Sequence, residues 1–295
     1  MKNVLIAGGT GLIGRRLQEL LAAEGHSVSV LTRKPQKANE FYWDPAKKEI
    51  HEKAFTDVKV LINLSGAGIA DSKWTAARKK ELYDSRIGAN EFLFGQVDKM
   101  PLLEQFISSS GINAYGYDDG SSEHVESDAF GTDYLSDLVR QWEESADLFR
   151  PKCKVAKIRT AVVLDPKGGA LARMKGPIKA GIGSPLGSGE QQMPWIHYED
   201  LVRIFQHVID QQLEGAFNAV ASNASNKAFM KTMATVLKKP FFFPKVPSFL
   251  LKIMFGEMAD MLLKGAKGSN QLIRSTGYEF AFTDLEKALK DVQKG

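Results

Sequence analysis

Several features that would indicate common classes of protein are scarce in this 295-residue sequence. It has one cysteine, Cys153, which excludes an intramolecular disulfide and favours a reducing compartment, so we expect a cytoplasmic protein. No apolar run reaches the ~18 residues of a membrane span. The first strand is expected from the second residue, which leaves no room for a signal peptide. The net charge is only +4 and the basic residues are interleaved with acids, so we expect no nucleic acid and no membrane among its partners.

What the sequence does have is a glycine-rich turn near its start. The stretch VLIAGGTGLIG, residues 4–14, begins as an apolar run and breaks into spaced glycines. The apolar residues that follow recur at helical spacing, which predicts a strand, a tight turn and a helix. The residues expected to pack this helix on a sheet are Leu12, Ile13, Leu17, Leu20 and Leu21.

Each glycine of this turn has a separate physical role in binding a dinucleotide. Gly8 permits the sharp bend, Gly11 leaves room for a pyrophosphate, and Gly14 lets the helix lie close to the strand. The free N–H groups and the partial positive charge of the helix end would then hold the anion. A glycine turn that binds nothing is the alternative, but the order strand, turn, helix and second strand favours nucleotide binding. The residues predicted to contact the cofactor here are Gly8, Thr10, Gly11, Leu12 and Ile13.

The end of the second predicted strand, His26–Arg33, indicates which dinucleotide binds. An NAD site needs a carboxylate there for the ribose 2′-hydroxyl, whereas a 2′-phosphate needs arginine or lysine. The residues present include Arg33, Lys34 and Lys37, and the first acid is Glu40. This favours NADP(H) with Arg33 as a phosphate ligand, the alternative being a solvated basic loop.

Two further stretches are placed to border the same site. Val58–Leu64 is a predicted buried strand followed by the loop SGAG, and ligands of open α/β sheets lie beyond the carboxyl ends of strands. Loop packing alone would also explain these glycines. Arg86 lies on a helix predicted over Lys73–Lys99 and could reach the site, while surface ion pairing is its alternative role. The further residues predicted to contact the cofactor are Leu64, Ser65, Gly66 and Arg86.

The next predicted strand, Leu103–Ile107, ends in the run SSSGINAYG. Hydroxyl groups at the carboxyl end of a central strand can bond a substrate carbonyl or alcohol, although such groups also commonly satisfy strand-end backbone atoms. An acidic loop follows, and Tyr134 then begins a predicted helix that runs through Trp142-Glu143-Glu144 to Phe149.

Together these motifs resemble the extended short-chain dehydrogenase/reductase superfamily. The motifs that carry the resemblance are GGTGLIG, TRKP, NLSGAGIA, SSSGINAYG and WEE. Later stretches narrow it to an atypical branch, the NAD-dependent epimerase/dehydratase-like epimerase family proteins with a C-terminal domain of unknown function. These stretches are RTAVVLDPKGGAL, GIGSPLGSGEQQMPWIHYEDL, FNAV and GYEFAFTDLEKAL. The resemblance spans essentially the whole chain and implies an α/β fold with a Rossmann-type, doubly wound parallel sheet that binds NADP(H).

The resemblance also implies a Ser-Tyr-Lys constellation. In it the tyrosine exchanges a proton with the substrate oxygen, the lysine lowers the pKa of the tyrosine, and the serine orients the carbonyl. Ser110 corresponds to the serine. The lysine is missing, because no tyrosine is followed four residues later by lysine and no lysine occurs between Lys99 and Lys152. The candidates for catalysis are therefore Ser110, Tyr134 and Tyr115.

Two functions follow from these observations. In the first, the protein is an NADP(H)-dependent oxidoreductase or epimerase that acts on a small carbonyl or nucleotide-sugar-like substrate through another proton donor. In the second, it binds NADPH without turnover and acts as a sensor or regulatory protein.

The second half of the chain supplies the expected substrate side. Lys154–Leu164 is predicted as one strand, and the loop at about residues 167–196 closes over the substrate in the resembled family. A long flexible connection is the alternative. His197 shows no ligand spacing to the other histidines, so we expect a structural hydrogen bond there and no metal. The substrate-side candidates are Gly187, Ser188 and Gln191.

We predict two domains, a Rossmann-like NADP-binding domain at residues 1–221 and a small, mostly helical subdomain at residues 222–295. The subdomain is expected to end in a short strand and a short helix over Tyr278–Val292. Within it, residues 240–255 are apolar and flanked by lysines, and a membrane-surface patch is one interpretation. We favour an aromatic side packed on the sheet domain or on a second subunit, which leaves a homodimer open.

Overall fold

Strands and helices alternate along most of the chain in the computed structural model, which describes residues 1–118 and 120–294. The strands are β1 (Asn3–Ala7), β2 (Ser27–Thr32), β3 (Glu40–Asp44), β4 (Glu49–Ile50), β5 (Val60–Asn63), β6 (Gln105–Gly111), β7 (Glu123–His124), β8 (Lys154–Thr160), β9 (Val162–Leu164), β10 (Gln192–His197), β11 (Gly215–Ala219), β12 (Ser222–Ser225) and β13 (Lys267–Gly268). The helices are α1 (Leu12–Ala23), α2 (Ala76–Tyr83), α3 (Ala89–Phe94), α4 (Tyr134–Asp147), α5 (Gly169–Lys179), α6 (Tyr198–Asp210), α7 (Asn226–Val236), α8 (Ser248–Phe255), α9 (Ala259–Leu263), α10 (Gln271–Ser275) and α11 (Leu285–Asp291).

The largest sheet has eight strands in the order β11-β8-β6-β5-β1-β2-β3-β4. Its middle is parallel, because β1 pairs with β2 on one side and with β5 on the other, and the pairs β2–β3 and β5–β6 are parallel as well. The strand order therefore runs one way from β1 to β3 and the other way from β5 to β6, which is the arrangement of a doubly wound sheet. The predicted α/β fold of Rossmann type is confirmed.

A smaller sheet contains part of a segment that the sequence predicted as one strand. In this sheet β10 pairs in parallel with β9 and antiparallel with β12. The single strand predicted over Lys154–Leu164 is wrong, because the chain leaves the large sheet after β8 and enters the smaller one at β9. The run KVAKIRTAVVL has no glycine or proline at Ala161, where the change occurs, so its pattern does not show the change of sheet.

The long helix predicted over Lys73–Lys99 is shorter and interrupted. It begins after Thr75, whose side chain caps α2, and a π-helical turn at Asp84–Gly88 joins α2 to α3. A π turn inserts an extra residue and is often found at functional positions. Here it contains Arg86, which is only 6% exposed.

The chain forms two compact units, each built from three segments. The first unit comprises residues 1–110, 138–159 and 202–217, and the second comprises residues 111–137, 160–201 and 218–295. In the core of the first unit, Phe106 stacks on Phe149 with 3.9 Å between the ring centroids, and Leu5 and Leu61 are fully buried in the same cluster. The predicted division after residue 221 stays a prediction, and the predicted C-terminal subdomain falls within the second unit.

The apolar segment that leads into α8 is exposed. Phe242 is 74% exposed, and Phe249 and Ile253 on or beside the helix are 62% and 71% exposed. The predicted packing of this aromatic side on the sheet domain or on a second subunit stays a prediction, since the sequence shows that a segment is apolar but not what covers it. α8 has only eight residues, and among the described residues no helix is both long and apolar enough to span a membrane.

One buried carboxylate holds the C-terminal tail of the second unit. The strand predicted after Tyr278 is not formed, and residues 278–284 have irregular backbone. The carboxylate of Asp200, fully buried in the first turn of α6, accepts hydrogen bonds from the backbone N–H groups of Ala281 at 2.8 Å and Phe282 at 3.0 Å. The hydroxyl of Tyr278 lies 3.1 Å from the same carboxylate. Asp200 thus satisfies backbone groups that a strand partner would otherwise satisfy.

Removing this carboxylate should destabilise the protein. We expect Asp200→Ala to lower the free energy of unfolding by about 3 kcal/mol, because two N–H groups lose their acceptor. Tyr278→Phe should cost only about 1 kcal/mol, since it removes one hydrogen bond and keeps the ring. Urea unfolding of both variants measures the difference, and equal losses would contradict the role assigned to Asp200.

Candidate functional site

The glycine turn between β1 and α1 shows why two of its glycines are needed for packing. Gly8 has a φ of +76°, and a Cβ there would lie 2.8 Å from the carbonyl carbon of Leu64. A Cβ on Gly14 would lie 2.5 Å from the carbonyl oxygen of Gly9. Gly11 differs, because its φ is −72° and a Cβ there would approach only the oxygen of Gly8, at 3.3 Å. Packing inside the chain therefore requires this third glycine less strictly than the other two, and its φ would suit any residue.

The first turn of α1 presents unpaired backbone donors next to Gly11. Gly11 is the N-cap residue, and no side chain caps this helix end. The side chain of Arg15 donates to the carbonyl oxygen of Thr10 at 2.8 Å and so braces the turn from within. Ile13 is half-buried, but Leu12 is 40% exposed, so the prediction that Leu12 packs on the sheet is wrong. Leu12 is the first helical residue and comes before the buried residues of α1, which are Gly14, Leu17 and Leu21. Its backbone N–H points toward the helix end.

The end of β2 carries exposed positive charge. Arg33 and Lys34 are exposed, and no described residue pairs with the Arg33 guanidinium. The first acid, Glu40, is engaged elsewhere, because its carboxylate accepts a hydrogen bond from the backbone N–H of Gln36 at 2.7 Å. A ribose 2′-phosphate would meet a free arginine here rather than a carboxylate.

The loop after β5 is held from beneath by Arg86. Its guanidinium donates to the carbonyl oxygen of Ala67 at 2.8 Å and to that of Leu82 at 3.2 Å, and it lies 5.1 Å above the ring of Trp142. A Cβ on Gly66 would come within 3.1 Å of this guanidinium. The alternative in which Arg86 forms a surface ion pair is therefore wrong, and the residue positions the loop. Its contact with cofactor stays a prediction.

The same loop begins at a buried amide network that the sequence did not indicate. The side-chain oxygen of Asn63, the last residue of β5, accepts hydrogen bonds from the backbone N–H of Ser65 at 2.9 Å and from its hydroxyl at 2.5 Å. The Asn63 amide nitrogen donates to Asn90 at 2.7 Å, and Asn90 donates to Ser145 at 2.9 Å. These contacts fix the orientation of Ser65. The start of the loop, with Leu64 and Ser65, is therefore rigid.

Ser110 is bound to a buried ion pair. Its hydroxyl donates to Glu143 at 2.7 Å, and the guanidinium of Arg159 contacts both oxygens of that carboxylate, at 2.7 and 2.9 Å. All three residues are less than 5% exposed. Sequence reasoning missed this pair, and the local sequence gives little signal for it, because α4 and β8 carry several other charged residues.

The two candidate tyrosines have different environments. The hydroxyl of Tyr115 donates to the side-chain oxygen of Asn218 at 2.7 Å, and its ring stacks on His124 at 4.9 Å. Tyr134 is half-buried at the first residue of α4. Position 138, where the wider superfamily would place lysine, is a buried leucine. The Tyr115 hydroxyl is thus committed to a structural partner.

A cavity of about 640 Å³ lies in the second unit and contains part of the predicted substrate side. Its lining residues are Tyr115, Tyr117, Asp118, Gly131, Thr132, Asp133, Ser188, Glu190, Gln191, Gln192, Leu263 and Lys264. Ser188 and Gln191 are therefore in its wall, and the Gln191 amide nitrogen donates to the carbonyl oxygen of Leu262 at 2.7 Å. Gly187 is not in the wall. Its φ is +59° and a Cβ there would lie 2.5 Å from the side chain of Leu263, so backbone conformation and packing explain this glycine.

Burial and nearby negative charge affect the hydroxyl of Tyr117 in the wall of this cavity. Burial raises the pKa of the Tyr117 hydroxyl, and the carboxylates of Asp133, Asp260 and Glu257 raise it further. Tyr117 is therefore protonated at neutral pH, so it can donate a hydrogen bond but does not act as a base.

His197 lies outside this cavity and is fully buried. Its Nδ1 accepts a hydrogen bond from the backbone N–H of Glu199 at 3.3 Å, and its ring stacks on Phe282 at 3.8 Å. These contacts fit the structural role expected for it. Within residues 1–118 and 120–294 no group of three or more histidine, cysteine or acidic side chains is arranged to hold a metal ion.

Comparison with known proteins gives this arrangement a family context. The model of the NAD dependent epimerase/dehydratase family matches residues 4–135, and that of a domain of unknown function (DUF1731) matches residues 246–292. The chain is 35% identical over 298 residues to Epimerase family protein SDR39U1 of Bos taurus, covering 98% of this chain and 99% of that protein. It is 32% identical over 306 residues to the chloroplastic SDR39U1 homolog of Arabidopsis thaliana, covering 99% of this chain and 87% of that protein.

A solved structure is similar over the same length. The crystal structure of human epimerase family protein SDR39U1 (isoform2) with NADPH matches with a TM-score of 0.90 at 33% sequence identity, covering 99% of each chain.

The ion pair beside Ser110 gives a prediction about the stability of the protein. We expect Glu143→Ala to lower the free energy of unfolding by about 3–5 kcal/mol, because it leaves the Arg159 guanidinium buried without its carboxylate. Ser110→Ala should cost about 1 kcal/mol, since only one hydrogen bond is lost. Chemical denaturation of the two variants tests this, and a loss for Glu143→Ala no larger than that for Ser110→Ala would contradict it.

Proposed function

This chain belongs to the NAD dependent epimerase/dehydratase family, and we propose that it is an NADP(H)-dependent oxidoreductase or epimerase. Its substrate in this proposal is a small carbonyl compound or a nucleotide-sugar-like molecule. The observation that carries the proposal is the uncapped N-terminus of α1 at Gly11, where a side chain would meet only the oxygen of Gly8 inside the chain.

The residues of the first unit fit NADP(H), which is the cofactor of this protein. A pyrophosphate at the N-terminus of α1 would occupy the space that a side chain on Gly11 would fill, and it would receive the backbone N–H groups of Leu12 and Ile13. Arg33 is free to pair with the 2′-phosphate, and Glu40 is engaged with a turn. The similar human protein was crystallised with NADPH.

The proposed chemistry uses hydride transfer, which bound NADPH supplies to a carbonyl carbon. The chain must then provide a proton to the carbonyl oxygen, and Tyr134 is the proposed donor because the Tyr115 hydroxyl is bound to Asn218. Ser110 Oγ donates to Glu143, so it can accept a hydrogen bond from a substrate hydroxyl as it stands. To donate to a carbonyl it must first release that carboxylate.

The alternative is a protein that binds NADPH without turnover and reports the level of the cofactor to a partner. Two observations favour it. The sequence has no Tyr-x-x-x-Lys pair, so the lysine that assists proton transfer by the tyrosine in the wider superfamily is absent here. The hydroxyls of Ser110 and Tyr115 are both committed to buried partners.

A cytoplasmic location is part of the same proposal. The single cysteine, Cys153, is partly buried and burial raises its pKa to about 11, as suits a thiol with no redox role. The similar Arabidopsis protein is named chloroplastic, so relatives occur in more than one compartment.

Replacing Arg33 tests the choice of cofactor. We expect Arg33→Ala to raise the dissociation constant for NADPH by about 10- to 100-fold, because one charge-assisted contact with the 2′-phosphate is lost. Affinity for NADH should not change. Arg203→Ala, which removes an exposed arginine on α6, is the matched control. Calorimetry with both nucleotides measures the effect, and unchanged NADPH affinity in the Arg33 variant would remove the assignment.

Replacing Tyr134 tests the reaction. NADPH oxidation is measured with a panel of carbonyl compounds and nucleotide sugars, and for an accepted substrate we expect Tyr134→Phe to lower kcat by about 100-fold or more with NADPH affinity intact. Tyr83→Phe, at a partly exposed tyrosine of α2, should leave kcat unchanged. Absence of turnover with every compound, in a protein that binds NADPH, would favour the sensor.

A further inference from the structure

We propose that the exposed face of α8, together with the preceding segment Pro240–Pro244, binds the surface of an anionic lipid bilayer. This region is called the α8 surface below. The proposal goes beyond cofactor binding and catalysis, because none of these residues belongs to the site described above.

The geometry of α8 places its apolar side chains toward solvent. At about 100° per residue, Phe249, Leu250, Ile253 and Met254 fall within an arc of about 140°. They are 62%, 41%, 71% and 58% exposed. Leu251, on the opposite side, is 4% exposed and holds the helix to the protein. A helix in this position normally exposes polar residues, so the orientation is the reverse of an ordinary surface helix.

The segment before α8 adds two more exposed aromatic rings. Phe242 and Phe243 are 74% and 40% exposed, and they stack on each other with 4.8 Å between centroids. Pro240 and Pro244 bound the segment, and they restrict its backbone. The rings are thus presented to solvent on a short, stiff loop, and no described part of the chain covers them.

The charge of this part of the chain has one sign. Between Glu214 and Glu257 there are six lysines and no acidic residue, although the whole chain is nearly balanced. Lys245 and Lys252 are exposed and have no ion-pair partner among the described residues. Lys252 lies about 60° from Phe249 around the helix, at the edge of the apolar arc. From there its ammonium can remain in a polar headgroup layer while its methylene chain lies along apolar surface.

The exposed apolar arc and the positive charge around it together favour a bilayer over a second copy of the chain. A second copy of the α8 surface would bring six more lysines and no carboxylate from residues 215–256 to neutralise them. An anionic bilayer offers an acyl boundary for the apolar arc and negative headgroups for the lysines. The binding would be peripheral, because α8 is a single short helix.

Flotation of the full-length protein with vesicles tests the proposal. NADPH is present throughout so that its binding site is saturated and the protein stays folded. Vesicles of phosphatidylglycerol in phosphatidylcholine should retain about tenfold more protein than phosphatidylcholine alone at about 0.1 M salt, with a loss at higher salt. Phe249→Ser/Ile253→Ser and Lys245→Glu/Lys252→Glu should each abolish the difference. The matched controls Leu102→Ser/Leu272→Ser and Lys53→Glu/Lys287→Glu change exposed residues outside the α8 surface and should bind as the parent does.

Three results would overturn it. The first is absence of the folded protein, shown by its NADPH affinity, from anionic vesicles at low salt. The second is equal loss of vesicle binding in the α8-surface variants and in their controls. The third is a dimer, detected by light scattering, that the Phe249→Ser/Ile253→Ser variant converts to a monomer, since a second copy would then be the occupant.

Discussion

The parallel pairing of β1 with both β2 and β5 is the constraint on which the cofactor side depends. Each of these strands ends at the same edge of the sheet, so the glycine turn, the basic end of β2 and the loop after β5 come together there. The turn lies so close to the end of β5 that a Cβ on residue 8 would collide with the backbone of Leu64. The same turn packs closely at Gly8 and Gly14 and leaves the N-terminus of α1 uncapped at Gly11.

Buried polar side chains hold the edges of this site, and they are all in the first unit. Asn63 and Asn90 fix the beginning of the loop after β5, and Arg86 fixes its middle through the carbonyl oxygen of Ala67. Each of these buried side chains makes hydrogen bonds to specific partners, and these bonds restrict the conformations open to the loop. Such a loop suits a cofactor that must be held in one orientation.

The sequence predicted those strands and turns that neighbouring residues in the chain specify. The glycine turn, β1, β2 and β5 follow from apolar runs and turn residues in the printed order. β3 and β4 lie in a stretch, residues 34–57, where prolines and mixed charge concealed two short strands at the edge of the sheet. The split at Ala161 and the buried position of Arg86 depend on neighbours that are distant in the chain. No periodicity in the local sequence contains that information.

Cofactor binding and proton transfer depend on different kinds of groups in this fold. The proposed pyrophosphate contact depends on backbone N–H groups and on a glycine turn, which any sequence that keeps the turn also keeps. Proton transfer depends instead on a few side chains, and here the lysine of the superfamily is absent while the Ser110 hydroxyl is bound to the Glu143–Arg159 pair. A family of this fold can therefore keep its cofactor and change or lose its chemistry, because a side-chain substitution at the reaction side leaves the sheet and the turn unaffected.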